Sequence, residues 1–238
     1  MWNGNADTVR ALFLAACMIL IAGCDIGAAP QRADNDAAKL QFPDARYQVD
    51  PARKRVWFLT AEGVFLFDAS RPERTAVSLP GWIWAGAPYA CLPDLALGPR
   101  GEAVVTSNVV PTLWRIDPVT IAVSVHPLAL DADTGKDVGF TGLVFSPPHG
   151  AFFAASDAHG SLWRIDPQFT RAQKIPLSAP IPGACGLALR PRSSQQTLGG
   201  TADVCVRTPH GGWSVLFAPD WRSASVSAAP CADRPWGR

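Results

Sequence analysis

A six-residue segment recurs in this chain at a fixed spacing, and this repeat limits the possible fold more than any other feature. The sequence Leu-Trp-Arg-Ile-Asp-Pro occupies 113–118 and returns unchanged at 162–167, which is 49 residues later. A related segment ends at Asp68, which lies 49 residues before Asp117, and a looser copy spans 215–219. A constant period of this length is typical of a chain built from stacked copies of one supersecondary unit.

A second marker runs in phase with the first. An apolar residue, one further residue and a proline occur together at Pro51, Pro99, Pro147 and Pro191, and these prolines are 48, 48 and 44 residues apart. Between the markers, runs of four to six residues rich in β-branched and aromatic types alternate with Gly, Pro and Asp turns, which is typical of strands. The sequence therefore predicts four strands in each repeat.

Four strands in 40 to 50 residues is the pattern of a β-propeller blade. The first and most apolar run of each repeat is predicted to be the inner strand, and the most polar fourth run the outer edge. We predict an all-β, four-bladed β-propeller-like domain over 40–238, with blades at approximately 40–90, 91–139, 140–184 and 185–238.

Two other architectures stay open. One is a two-sheet β-sandwich, and the other is a half-propeller that a second copy of the chain completes. Closing the ring within one chain would require a strand from one end to complete a blade at the other. The segment Leu40-Gln41-Phe42 is the candidate for that strand.

The third repeat, GLVFSPPHGAFFAASDAHGSLWRIDP at 142–167, resembles the blades of the bacterial NHL, YVTN and SMP-30-type propellers. The resemblance covers nearly all of residues 45–225. It implies a propeller fold and no particular activity, because the pattern is generic to blades. Most propellers of these families have six or more blades, whereas four repeats are found here.

The N-terminal region carries an export signal. Residues 11–23 form an uncharged apolar run that would span about 20 Å as a helix, too short for the hydrocarbon core of about 30 Å. The sequence Ile-Ala-Gly-Cys at 21–24 resembles the bacterial lipobox. We predict a signal peptide over 1–23, lipid on Cys24 and a flexible tether over 24–39.

Two other interpretations of this region remain, an ordinary signal peptide and an N-terminal helix that contains Cys24. The residue after that cysteine, Asp25, resembles the signal that keeps lipoproteins in the inner membrane of enteric-type bacteria. The sequence therefore predicts a cell-envelope protein held by its lipid, at the periplasmic face of the inner membrane.

Four cysteines lie beyond the tether, and an even number in an exported protein favours disulfides. Three pairings are possible. An antiparallel hairpin centred near residue 195 would place Cys185 opposite Cys205, which leaves Cys91 to pair with Cys231. We predict these two bonds. A metal site built from the same thiols is the alternative, although the sequence contains no CxxC motif.

Composition and motifs limit the function classes. The formal net charge is +1 and 17% of the residues are charged, so nothing indicates the basic face that a nucleic-acid partner requires. The sequence motifs of serine hydrolases, zinc proteases and nucleotide-binding loops are absent. We therefore predict no catalytic residue and no cofactor, and we favour a non-enzymatic binding or scaffold module.

The candidate binding surface is the segment GWIWAGAPY at 81–89, which presents Trp82, Trp84 and Tyr89 between glycines and prolines. Aromatic side chains on a loop bury a large area at low entropic cost. We predict that this segment holds an envelope protein, a peptide or a glycan. The alternative is that Trp82 and Trp84 pack on the outer strand of the first blade.

A weak candidate for a cation site is the set Asp131, Asp133 and Asp137, because oxygen ligands alternate in this way in calcium loops. The intervening residues depart from that pattern, so an acidic surface turn is the competing interpretation.

An enzyme is the alternative function. The resemblance to SMP-30-type lactonases implies a metal-dependent hydrolase, for which Asn108, Asp157 and Asp203 near the ends of second strands would be the ligands. Their positions are also typical of Asx residues that form turns.

Overall fold

The computed structural model describes residues 46–87, 89, 91–189, 203–218, 223–229 and 231. Within these ranges the only helical element is a 3-10 turn at Pro147–His149. No helix in this part of the chain is long and apolar enough to cross a membrane. The predicted signal peptide, lipidated Cys24, the tether and the candidate closing strand at 40–42 lie outside the described residues.

Four sheets follow one another along the chain, one for each repeat, and the four strands of each blade pair antiparallel in sequence order. Blade 1 contains β1 (Arg46–Asp50), β2 (Arg55–Thr60), β3 (Gly63–Asp68) and β4 (Arg71–Val77). Blade 2 contains β5 (Leu95–Leu97), β6 (Ala103–Val105), β7 (Thr112–Ile116) and β8 (Val123–Pro127). Blade 3 contains β10 (Gly142–Ser146), β11 (Ala151–Ser156), β12 (Ser161–Ile165) and β13 (Arg171–Ile175). Blade 4 contains β14 (Gly186–Leu189), β15 (Asp203–Thr208), β16 (Gly211–Phe217) and β17 (Ala224–Ala228).

The four sheets are arranged as a four-bladed β-propeller, which confirms the predicted fold class. The inner strand β5 lies beside both β1 and β10, and β10 also lies beside β14. One strand departs from the expected plan: β9 (Ala129–Leu130), which follows blade 2 in sequence, pairs in parallel with β13 at the outer edge of blade 3. The edge of that blade is thus covered by the chain that leads into it.

The aspartate that follows the third strand of blades 2 and 3, in the repeated Asp-Pro pair, has a local structural role. The Asp117 carboxylate accepts hydrogen bonds from the N–H groups of Val119 and Thr120, both at 2.8 Å. The Asp166 carboxylate accepts the N–H of Thr170 at 2.8 Å in the same place of the next blade. The aspartate therefore closes the turn between the third and fourth strands.

Buried apolar clusters lie between successive blades, and the repeat supplies their central side chains. Trp114 and Ile116 of blade 2 are buried against blade 1, and Trp163 and Ile165 of blade 3 are buried against blade 2. Phe217 does the same between blades 4 and 3. The third strand of each of these blades thus packs one face onto the preceding blade.

Blades 4 and 1 do not share such a cluster among the described residues. Phe67, which occupies the repeat position of Ile116, is 39% exposed, and Leu216 on the far side of blade 4 is 48% exposed. The two blades do meet near the inner strands, where Nη2 of Arg46 donates a hydrogen bond to the carbonyl oxygen of Cys185 at 2.9 Å.

The cysteine pairing predicted from the sequence is wrong, although all four cysteines form disulfides. Cys91 pairs with Cys185, and Cys205 pairs with Cys231. In the β14–β15 hairpin, Cys205 lies opposite Ala188, three positions from Cys185. A register difference of an odd number of residues puts two side chains on opposite faces of a sheet, so these two cysteines cannot meet.

Candidate functional site

The predicted aromatic segment forms the connection between β4 and β5, above the junction of blades 1 and 2. The indole N–H of Trp82 donates to the carbonyl oxygen of Thr106 at 2.9 Å, and that of Trp84 donates to the carbonyl oxygen of Ala61 at 3.2 Å. The two ring centroids are 6.5 Å apart. Trp82 packs against the apolar cluster between blades 1 and 2. Both indoles are half-buried and hold the segment across this junction, not on the outer strand of blade 1 alone.

The most exposed large apolar side chain of the segment is Ile83, which lies between the two tryptophans and is 51% exposed. The sequence did not single out Ile83, because the predicted binding surface rested on the aromatic residues of the segment. Tyr89 is half-buried, and its backbone N–H donates to Gly86 at 3.0 Å. The segment therefore presents an aliphatic side chain flanked by two fixed indoles.

Two buried polar residues of blade 2 fix the backbone of this segment. The Asn108 side-chain oxygen accepts the N–H of Ala85 at 2.9 Å, and its amide donates to the carbonyl oxygens of Ala85 at 2.7 Å and Cys91 at 3.0 Å. The Ser107 hydroxyl donates to the carbonyl oxygen of Ile83 at 2.6 Å. These bonds satisfy the loop backbone as a sheet ladder would, so the loop is held in one conformation.

Further contacts anchor both ends of the segment. The indole N–H of Trp114 donates to the carbonyl oxygen of Pro80 at 2.8 Å, and the Cys91–Cys185 disulfide fixes the other end. Gly139 lies directly against the backbone of Asn108, where a Cβ atom would fall 1.9 Å from the Asn108 carbonyl carbon. Only glycine fits there, because any side chain would displace Asn108 from the loop.

Next to the indoles is a small crevice, whose wall includes Thr60, Ala61 and Leu92. Its volume is about 10 Å³. Ligand pockets for small molecules have volumes of several hundred Å³, so this crevice can hold no such ligand. Segment 81–89 offers an ordered surface and not a pocket, which suits contact with an extended partner.

The three aspartates of the candidate cation loop do not converge. The Asp133 carboxylate is bound by the ammonium groups of Lys136, at 2.9 Å, and Lys174, and these two contacts lower its pKa to about 2. The Asp131 carboxylate accepts the N–H of Lys174 at 2.8 Å, while the carbonyl oxygen of Asp137 lies 3.0 Å from a ring nitrogen of His159. The loop is an acidic turn neutralised by lysines.

The structure gives hydrogen bonds for two of the three candidate lactonase ligands, Asn108 and Asp157. Asn108 is committed to the loop of blade 1, and the N–H of Asp157 is bound to the Thr141 hydroxyl at 3.1 Å; the side chain of Asp203 lies outside the described part. Among the described side chains, no group of three His, Cys, Asp or Glu residues is placed to hold a metal ion.

No known family matches the sequence, and no characterised protein matches it. Solved structures do match the fold. The chain is similar to the major allergen Mala s 1 of Malassezia sympodialis, with a TM-score of 0.53 and 13% identity over 80% of this chain and 65% of that one. It is similar to virginiamycin B lyase of Staphylococcus aureus, with a TM-score of 0.53 and 12% identity over 81% and 58%.

A third match is an auxiliary nutrient binding protein of Bacteroides thetaiotaomicron, with a TM-score of 0.54 and 11% identity over 80% of this chain and 43% of that chain. The chain thus spans less than two thirds of the length of each of these three proteins. The structural neighbours are β-propeller proteins, and identities this low show a shared fold alone.

Proposed function

We propose that this protein is a lipid-anchored protein of the cell envelope that acts as a non-enzymatic binding or scaffold module. The observation that carries the proposal is the fixed segment 81–89. Its exposed Ile83 stands between two indoles whose N–H groups are already bonded within the protein. A surface of this kind, with an exposed aliphatic side chain between ordered indoles, favours contact with a partner.

The energetics of the segment favour binding. A flexible loop loses conformational entropy when it binds, and this loss reduces its affinity. Here Asn108, Ser107 and a disulfide have already ordered the backbone. The apolar area of Ile83 and the exposed parts of the indoles can therefore contribute to affinity with little ordering cost. The small crevice beside them favours a protein, peptide or glycan partner over a small ligand.

The structural neighbours are compatible with this proposal but do not decide it. One is described as a nutrient binding protein and another as a lyase, so the same fold serves both kinds of function. The metal-dependent hydrolase is not favoured, because no group of three His, Cys, Asp or Glu side chains converges within the described part of the chain.

The binding surface can be tested by crosslinking in intact envelopes followed by purification of the tagged full chain. Ile83→Ser together with Trp84→Ala should abolish the enrichment of any partner seen with the wild-type protein. Val119→Ser is the matched control, because Val119 is a 78% exposed apolar residue on a turn of blade 2, and it should retain the partner. Identical enrichment with all three proteins would refute the proposal.

The anchor is tested separately. Replacing Cys24 by Ser should remove lipid labelling and move the protein from the membrane fraction to the soluble fraction. Fractionation of inner and outer membranes then tests whether Asp25 acts as a retention signal. If the wild-type protein takes up no labelled lipid, the predicted lipid anchor is wrong, and this result leaves the test of the binding surface unaffected.

A further inference from the structure

A cavity of about 500 Å³ opens at the outer edge of blade 3, where β12, β13 and β9 lie side by side. This volume lies within the range of small-molecule sites. Its charged walls are Asp131, Arg164, Asp166 and Arg171, and Gln173 lies opposite Arg164 in the strand register. It belongs to a different blade connection from segment 81–89 and needs none of that segment's residues.

The repeat shows why Arg164 is unusual. Arg115 occupies the same place in the identical motif of blade 2, and its Nη2 lies 3.9 Å from a carboxylate oxygen of the buried Glu102. The residue that precedes β11 in blade 3, at the place where Glu102 precedes β6, is Gly150. Blade 3 therefore keeps the arginine of the motif and lacks its counter-ion.

The guanidinium groups in the cavity have no ionic partner within the described residues. Nε of Arg164 is buried and makes no hydrogen bond there, and neither Arg164 nor Arg171 forms an ion pair in that part of the chain. Leaving a half-buried cation without a partner is unfavourable, and an anionic ligand would compensate that charge. Planar guanidinium groups match carboxylates through two parallel hydrogen bonds.

The two carboxylates of the cavity, Asp166 and Asp131, differ in how many oxygen atoms remain able to accept hydrogen bonds from a ligand. Asp166 is committed to its turn, because it accepts the N–H of Thr170 at 2.8 Å and that of Arg171 at 2.5 Å, as well as the Thr170 hydroxyl. Asp131 accepts one backbone N–H through Oδ1, which leaves Oδ2 to accept hydrogen bonds from a ligand. The two arginines and two aspartates make the lining neutral overall, so the attraction for an anion is local. The guanidinium group of Arg164, unpaired among the described residues, favours a single carboxylate, and Oδ2 of Asp131 favours hydroxyl groups on the same ligand.

We propose that this cavity binds a small hydroxylated carboxylic acid, of the sugar-acid class. The carboxylate lies on the guanidinium group of Arg164, with Arg171 at the mouth of the cavity. Asp131 and Gln173 receive the hydroxyl groups. The site is independent of the proposed partner surface on segment 81–89, and either can fail without the other.

Isothermal titration of the purified full chain tests this site with matched ligand pairs. D-galacturonate and D-gluconate are the acids, and D-galactose and D-sorbitol are their neutral counterparts. At least one acid should bind at least about tenfold more tightly than its counterpart and than inorganic phosphate. Arg164→Gln should weaken that binding by about tenfold or more. Arg164→Lys keeps the positive charge but loses the two parallel N–H donors of the guanidinium group, so it should also weaken acid binding.

Arg100→Gln is the control, because the Arg100 side chain is 69% exposed on blade 2, and it should bind like the wild-type protein. Thermal unfolding of each variant checks that it is folded, and Arg164→Lys carries the test if the glutamine variant does not fold. The proposal is overturned if neither acid binds at about 10 mM, if acids and neutral sugars bind equally, or if phosphate binds as tightly as either acid. Binding that survives both Arg164 substitutions would also overturn it.

Discussion

The carboxylate of Asp94, just before the inner strand of blade 2, accepts the backbone N–H of Leu143 in the inner strand of blade 3 at 2.8 Å. The same carboxylate accepts the N–H of Leu95, also at 2.8 Å. This buried group therefore joins two blades through backbone donors that would otherwise be unsatisfied. Burial raises the pKa of Asp94 above its usual value of 3.8, and the positive charge of Arg46 opposes that rise.

The raised pKa gives a pH dependence of stability. Between 3.8 and the higher folded pKa, the folded state holds the Asp94 proton more tightly than the unfolded state. The contribution of Asp94 to the free energy of unfolding therefore falls as the pH rises through this window. Asp94→Asn cannot titrate, so urea unfolding from about pH 3 to 8 should show the wild-type advantage over this variant shrinking with pH. An advantage that is constant or grows with pH would contradict the assignment.

The hydrogen bonds between the Asn108 side chain and segment 81–91 predict a second effect. Asn108→Ala removes three hydrogen bonds to the loop, and at about 1 kcal/mol for each it should lower the free energy of unfolding by about 3 kcal/mol. Amide hydrogen exchange of residues 83–86 should accelerate while β12 stays protected. Ser124→Ala, on the exposed β8, should leave both measurements unchanged. Unchanged amide hydrogen exchange in the Asn108 variant would mean that the side-chain hydrogen bonds of Asn108 do not order the loop.

The disulfides predict an order of stabilities. The Cys91–Cys185 bond closes a loop of 94 residues and the Cys205–Cys231 bond one of 26. Loop-closure entropy then gives about 4.7 kcal/mol for the first and about 3.5 kcal/mol for the second. Replacing both cysteines of a pair by alanine should therefore cost more for the first pair in urea unfolding. A non-reducing peptide map that links Cys185 to Cys205 would contradict this pairing.

The sequence was sufficient for the architecture because the repeat and the strand pattern are local signals. The period of Asp68, Asp117 and Asp166 identified the blades, and each aspartate acts within its own turn. The disulfides could not be predicted, because one register step in a hairpin with an unknown turn moves a cysteine to the other face. The hydrogen bonds of Asn108 to the loop could not be predicted either. They join residues 23 and 17 positions apart, and contacts at such separations produce no repeating pattern in the sequence.

Repeat positions also predict where a mutation should matter least. Ile116 is fully buried between blades 1 and 2, whereas Phe67, at the same repeat position of blade 1, is 39% exposed. Ile116→Ala should cost about 2 to 5 kcal/mol because it leaves a cavity. Phe67→Ala should cost about 1 kcal/mol despite the larger side chain, because much of the ring already faces solvent. Equal losses in urea unfolding would show that something covers this face of blade 1 in solution.

The lysine pair on Asp133 predicts an acid-sensitive contact at the junction of blades 2 and 3. Hydrogen bonds from Lys174 and Lys136 lower the pKa of Asp133 from 3.8 to about 2. A lowered folded pKa means that this stabilisation is present above pH 3.8 and is lost as the pH falls through about 2. Asp133→Asn tolerates the positive φ of 55° at this position.

This variant should be less stable than the wild-type protein by roughly 1 kcal/mol at neutral pH, since the pair is only partly buried. The difference should vanish in urea unfolding at about pH 2. Asp137→Asn is the control, because Asp137 forms no ion pair within the described residues, and it should differ little from the wild-type protein throughout. A loss in Asp133→Asn that persists at low pH would mean that the turn itself, and not the charge on the carboxylate, depends on this aspartate.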